Sequence, residues 1–237
     1  MVDYFGIPLM TTSTSVIFED EVEIPFLGSL ADFRAWTLSD DFPQRGRIDY
    51  LDGRIEVDMS PEDLFTHNTL RVEIVRSLVM ITKPSGLGYV FGPGARVSSP
   101  EARLSVEPDV VFVSYEAIQQ QRVRLVPKAS QEAGRYMEIE GAPDLVVEIV
   151  SDSSTTKDTR RLPPAYHRAG VREFWLIDAR REQLLFQIHH HGPAGFDPAP
   201  ADAEGFQTSL VFPTGFRLLR RRDQRGQWIY DLETKGR

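Results

Sequence analysis

The sequence predicts an α/β protein, organised as one domain over residues 29–237 behind an N-terminal arm, residues 1–28. Three observations point there. Two short runs, SVEPDVVFVS (105–114) and APDLVVEIVS (142–151), are dense in valine, as strands covered on both faces tend to be. Residues 61–82 place Leu64, Leu70, Ile74, Leu78 and Ile81 on one helical face. No internal repeat and no linker-like stretch divides the 237 residues.

The arm carries Glu19, Asp20, Glu21 and Glu23 and reads as an extension or a short edge strand. Leu30, Phe33 and Trp36 have helical spacing behind Ser29, a good N-cap. In RIDYLDGRIEVD (47–58), Ile48, Tyr50, Ile55 and Val57 alternate around Asp52-Gly53, which predicts a hairpin with a tight turn. Ser60-Pro61-Glu62 opens the long helix, and Gly86 and Gly88 end it. YVFGPGARVSS (89–99), 105–114 and 142–151 are expected as strands, with the polar stretch 117–138 between the last two as loop. A short helix is expected from Pro163-Pro164, which suit a first turn, up to Gly170. REFWLIDAR (172–180) and QLLFQIHHH (183–191) form a hairpin-like pair. Residues 192–207 read as loop, SLVFPTGFRLL as a last strand, and RLLRRR (217–222) as the start of an arginine-rich tail.

Composition bounds the chemistry. With 41% hydrophobic and 26% charged residues the chain has ordinary globular content. It contains no cysteine, which excludes disulfides, thiolate zinc sites, iron–sulfur clusters and a cysteine nucleophile. There is no apolar run of the roughly 18 residues that a membrane helix needs, and the acidic start lacks signal-peptide order, so a cytoplasmic protein without membrane contact is expected. A net charge of −8 argues against a protein that coats nucleic acid. The charge is uneven, however: residues 1–150 carry −11 and residues 151–237 carry +3. Neither a G-x-S-x-G elbow nor a G-x-x-x-x-G-K-[ST] loop occurs, which removes serine-hydrolase and P-loop chemistry.

Two acids stand out. Asp109 sits at the head of a valine run, and Glu148 in the middle of an apolar strand, sharing a face with Val146 and Val150. A carboxylate buried there is unfavourable unless it is paired or binds a metal. On neighbouring strands the two would converge as hard oxygen ligands for Mg²⁺ or Mn²⁺. The alternative is that each is salt-bridged to a nearby arginine. His189-His190-His191 looks like a metal tract, but only His189 and His191 share a strand face and no acid lies at ligand spacing.

EPDVVFVS, GAPDLVVEIVSDSS and AYHRAGVREFWLIDAR, in that order and together with GRIEVDMSPE and His67, resemble the PD-(D/E)XK restriction-endonuclease-like superfamily. The similarity spans about residues 45–190 and is greatest to a bacterial branch of endonuclease-like proteins. It implies a mixed central sheet flanked by helices, here with extra C-terminal strands, and Mg²⁺- or Mn²⁺-dependent hydrolysis of phosphodiester bonds in DNA. Asp109 and Glu148 match the motif's two acids, and Asp49 the acid on the hairpin before the long helix, which would complete the metal's ligands; Glu56 is the other candidate on that hairpin. His67 matches a helix histidine that would stand behind a ligand carboxylate. The motif's lysine is absent: Val150 occupies its usual place and Leu162 the place in the following helix. Lys157 is the substitute within reach, while Arg160, Arg161, Arg168, Arg172 and the RLLRRR segment would meet the nucleic-acid backbone. The missing lysines leave a second reading open, a nuclease fold retained as a binding or assembly module. Homodimerisation through the REFWLIDAR–QLLFQI pair is open too, as is the reading of that pair as a buried sheet centre.

Overall fold

A computed structural model describes residues 24–25, 27–43, 46–129 and 134–236. The predicted arm therefore lies almost wholly outside the described residues. Helix α1 (Leu30–Thr37) starts where Ser29 accepts the Asp32 N–H at 3.2 Å. The hairpin β1 (Arg47–Leu51) and β2 (Arg54–Asp58) turns through Asp52 and Gly53, at φ 49° and 86°. Two consecutive left-handed residues match the twist of the strands they join, which is why Asp-Gly works there.

The long helix begins later than its sequence pattern. Asp63 accepts the N–H groups of Phe65 and Thr66, a π turn follows at Leu64–Asn68, and α2 runs Thr69–Ser85 to a left-handed Gly86. The 89–99 segment divides into β3 (Gly88–Phe91) and β4 (Arg96–Ser99). The 105–114 segment divides into β5 (Leu104–Val106) and β6 (Val110–Ser114), because Pro108 has no N–H to continue a ladder. The stretch expected as loop, 117–138, instead holds much of α3 (Tyr115–Gln119), capped by Ser114, with β7 (Val123–Pro127) and the start of β8 (Tyr136–Gly141). Its alternating Val123 and Leu125 were hidden among polar neighbours.

β9 (Leu145–Ile149) leads into a π turn at Lys157–Arg161 and α4 (Leu162–Arg168). β10 (Glu173–Asp178) and β11 (Leu185–His191) pair antiparallel, as expected. Short strands β12 (Phe196–Pro198) and β13 (Gln207–Thr208) follow. The arginine-rich segment is not a tail: it lies in β14 (Thr214–Arg222), which pairs over its whole length with β15 (Trp228–Gly236).

The strands form mixed sheets in the orders β2-β1-β5-β4-β8-β7 and β12-β11-β10-β9-β6-β3, with β13-β14-β15 as a third sheet. β10 is bonded on both sides, so the REFWLIDAR segment is the buried centre of its sheet rather than an edge. One face of that sheet packs Val110, Phe112, Val147 and Trp175 against Leu70, Ile74 and Leu78 of α2 and Phe216 of β14. The other packs Val146, Val150 and Phe174 against Leu162, Ala165 and Tyr166 of α4. Covering on both faces explains the unbroken valine runs. Among the described residues no helix is long and apolar enough to cross a membrane.

Candidate active site

β6 and β9 are antiparallel with Val110 opposite Val147. One step further in that register, Asp109 faces Glu148. The two carboxylates singled out in the sequence thus meet at the same end of the sheet, both almost fully buried.

Their surroundings differ. Asp109 Oδ2 accepts the Ile149 N–H at 2.7 Å and lies 3.5 Å from His67 Nε2. Its Oδ1 accepts from Arg47 at 3.1 Å and from Arg71 at 3.3 Å. Burial opposes ionisation, but the His67 hydrogen bond, the charges of Arg47 and His67, and the Ile149 N–H outweigh it and bring the pKa down to about 2. Glu148 has a single hydrogen bond, from the Tyr166 hydroxyl to Oε1, and its Oε2 is buried without a partner. Burial, then the negative charges of Asp158 and Asp109, hold its carboxyl well above the usual range despite Arg47 and Tyr166.

Asp158 is a third buried acid that the sequence reading missed. Its Oδ2 accepts from the Ser154 hydroxyl, while Oδ1 has no partner. Burial lifts its pKa to about 6 against that hydrogen bond, with Asp109 adding to the rise and Lys157 and Arg47 opposing it. A signal was available: Asp158 lies four residues before Leu162 and eight before Tyr166, on the buried stripe of α4 extended backwards.

Most of the other residues singled out in the sequence have partners of their own. Asp49 is buried, but Oδ1 accepts the Glu107 N–H at 3.0 Å and Oδ2 accepts from Lys157 Nζ, so both oxygens are engaged within the protein. Lys157, whose pKa is lowered by burial but raised on balance by Asp49, is accordingly held on Asp49. Glu56 binds the Arg161 guanidinium through both oxygens, which also engages Arg161. Arg160 is exposed. Arg168 pairs with Asp52 and Arg172 with Asp144. In β14, Arg220 and Arg222 lie 4.1 and 3.9 Å from the Trp228 ring centroid, and Arg217 pairs with Glu233. His67 is buried against Asp109, with Nδ1 3.7 Å from Glu62. In the histidine run, His191 stacks on His167 at 3.9 Å instead of joining an acid.

Arg47 and His67, which contact Asp109, line a cleft of about 310 Å³ whose walls also include Asp58, Glu62, Glu107 and Ser153. Glu62, His67 and Asp109 have ligand atoms within 4.8 Å of one another, but Arg71 already bridges Glu62 and Asp109. Glu148 and Asp158, whose charges act on each other and on Asp109, each keep one buried oxygen without a partner among the described residues, and such oxygens suit a divalent ion that prefers oxygen.

The family model Uma2, described as "Putative restriction endonuclease", matches residues 30–220. The fold is similar to the crystal structure of a putative nuclease belonging to DUF820 from Anabaena variabilis, with a TM-score of 0.56 and 16% identity, over 76% of this chain and 88% of that one. No curated protein matches the sequence.

Proposed function

We propose, from the premise that this chain belongs to the Uma2 putative restriction endonuclease family of the restriction-endonuclease-like superfamily, that it is a divalent-metal-dependent endonuclease hydrolysing phosphodiester bonds of DNA. The activity resides in a single domain over residues 29–237. The observation that carries the reading is the facing pair of buried acids Asp109 and Glu148, with Glu148 and buried Asp158 each keeping an oxygen that no donor among the described residues satisfies. These three would hold Mg²⁺ or Mn²⁺. A metal bound there supplies charge to neutralise the scissile phosphate and to acidify a nucleophilic water. Asp109 is kept ionised by its cationic neighbours, and Tyr166 fixes the Glu148 carboxylate on β9. His67 orients Asp109 from the cleft side, and Asp49 positions Lys157.

The test is cleavage of plasmid and single-stranded DNA by wild type and Glu148→Gln with Mg²⁺, Mn²⁺ or EDTA. Metal-dependent cleavage that the substitution abolishes is expected; cleavage indifferent to it would sink the proposal. One observation favours a second reading. Leu162 stands where the family's helical lysine belongs and Lys157 is bound to Asp49, as suits a nuclease fold that binds metal without turnover. A folded protein stabilised by Mn²⁺ that cleaves no DNA would support it.

A further inference from the structure

The chemistry proposed above needs a cation at the phosphate, and the motif's lysine is missing. The cations around the carboxylates are nearly all committed. Arg71 grips Glu62 through two nitrogens and touches Asp109. Arg96 is buried, bonded to the Ile48 carbonyl and to Glu107. Lys157 is held by Asp49, and Arg161 by Glu56. Arg47 differs: it is the one lysine or arginine among the described residues that lines the cleft, and its hydrogen bond there is a single one, 3.1 Å to Asp109 Oδ1. The cleft walls are otherwise acidic or neutral apart from His67.

We infer that Arg47 is the group that contacts the scissile phosphate, and that in the metal-free protein it neutralises Asp109 and so competes with the metal ion. This rests on the nuclease reading. Its charge also acts on Glu148, Asp49 and Asp158, all of which stabilise the guanidinium. When an ion takes the carboxylates, the Arg47–Asp109 bond loses its electrostatic basis and the guanidinium is left facing the cleft, where a phosphodiester is the complementary partner. Arginine is too weak an acid to shuttle protons, so its part is to bind the phosphate and to stabilise the charge that develops as water attacks phosphorus and the P–O bond to the leaving group breaks.

The competition gives opposite signs that a merely structural residue would not show. Calorimetric titration with Mn²⁺ is expected to give Arg47→Gln about tenfold tighter binding than wild type, because a like charge beside the ligands is gone. Cleavage of the same DNA falls at least about a hundredfold, and Arg47→Lys, which keeps the charge, recovers part of it. Asp109 retains Arg71, His67 and the Ile149 N–H in both variants, so the fold is kept. Unchanged or weaker Mn²⁺ binding in Arg47→Gln overturns the competition. Tighter binding with undiminished cleavage overturns the phosphate contact. Mn²⁺ binding that survives Glu148→Gln fails the nuclease site itself, and the role of Arg47 with it.

Discussion

Two glutamates on adjacent parallel strands make an instructive pair. Glu173 begins β10 and Glu148 lies near the end of β9; both are almost fully buried, and burial raises the pKa of each. Yet Glu173 is fully satisfied. Its Oε1 accepts from Trp175 Nε1 at 2.7 Å and the Ser209 hydroxyl at 2.9 Å, and its Oε2 accepts the Leu210 N–H at 2.7 Å. Glu148 has the Tyr166 hydroxyl and an oxygen with nothing. Glu173 fastens the segment before β14 to the sheet; Glu148 is left incomplete opposite Asp109. Burial of a charge therefore does not identify a functional acid. An unsatisfied lone pair is what marks Glu148 as the candidate, because a native fold tolerates that penalty where a ligand can remove it.

The comparison can be broken in four ways, beginning with the largest effect. Glu148→Gln should lower metal-dependent cleavage roughly a thousandfold or more, since it removes a ligand of the charge-stabilising ion; Glu173→Gln, assayed alongside, should cleave normally once folded. Equal losses in the two would erase the distinction. Chemical denaturation should reverse the ranking: Glu173→Ala removes the acceptor of the buried Trp175 Nε1–H and of the Leu210 N–H and should destabilise by about 3 kcal/mol, whereas Glu148→Gln in EDTA should be neutral or stabilising by up to about 1 kcal/mol. Mn²⁺ at about a hundred times its Kd should stabilise the wild type by about 2.7 kcal/mol, seen as a rise of about 5–10 °C in melting temperature. The rise should persist in Glu173→Gln and vanish in Glu148→Gln.

The smallest effect is on pH dependence in EDTA. Asp158, lifted from 3.8 to about 6, keeps its proton in the folded state after the unfolded chain has released it, so stability should fall as pH rises from about 4 to about 6. Asp109, lowered to about 2, acts oppositely: its contribution is present above about pH 4 and is lost as pH falls towards 2. Melting temperatures of wild type and Asp158→Asn across this range should diverge above pH 4, the variant remaining flatter. A parallel pair of curves would mean that Asp158 is not the strained member of the site.

Much of this was legible because it is local. The Asp52-Gly53 turn, the Ser29 cap and the Gly86 stop each depend on a few residues of backbone geometry, and each is found where it was read. Asp109 and Glu148 were legible because a charge in a valine run conflicts with its own neighbours. By contrast, 117–138 reads as loop from its sequence, since its strands gain their partners from β4 and from each other, not from their own composition.

What the sequence determined by itself, then, was the class of fold, the valine strands that form its centre, and the two acids that meet there, since alternation and burial follow from short-range pattern. Only the tertiary structure decided which charges remain available. Lys157 finds Asp49 across 108 residues and Arg161 finds Glu56 across 105, so two predicted substrate contacts are engaged inside the protein. Arg47 is left on Asp109, lining the cleft, for the same reason: an ion pair is settled by which partners the packed chain brings within a few ångströms, and spacing along the sequence does not encode that distance.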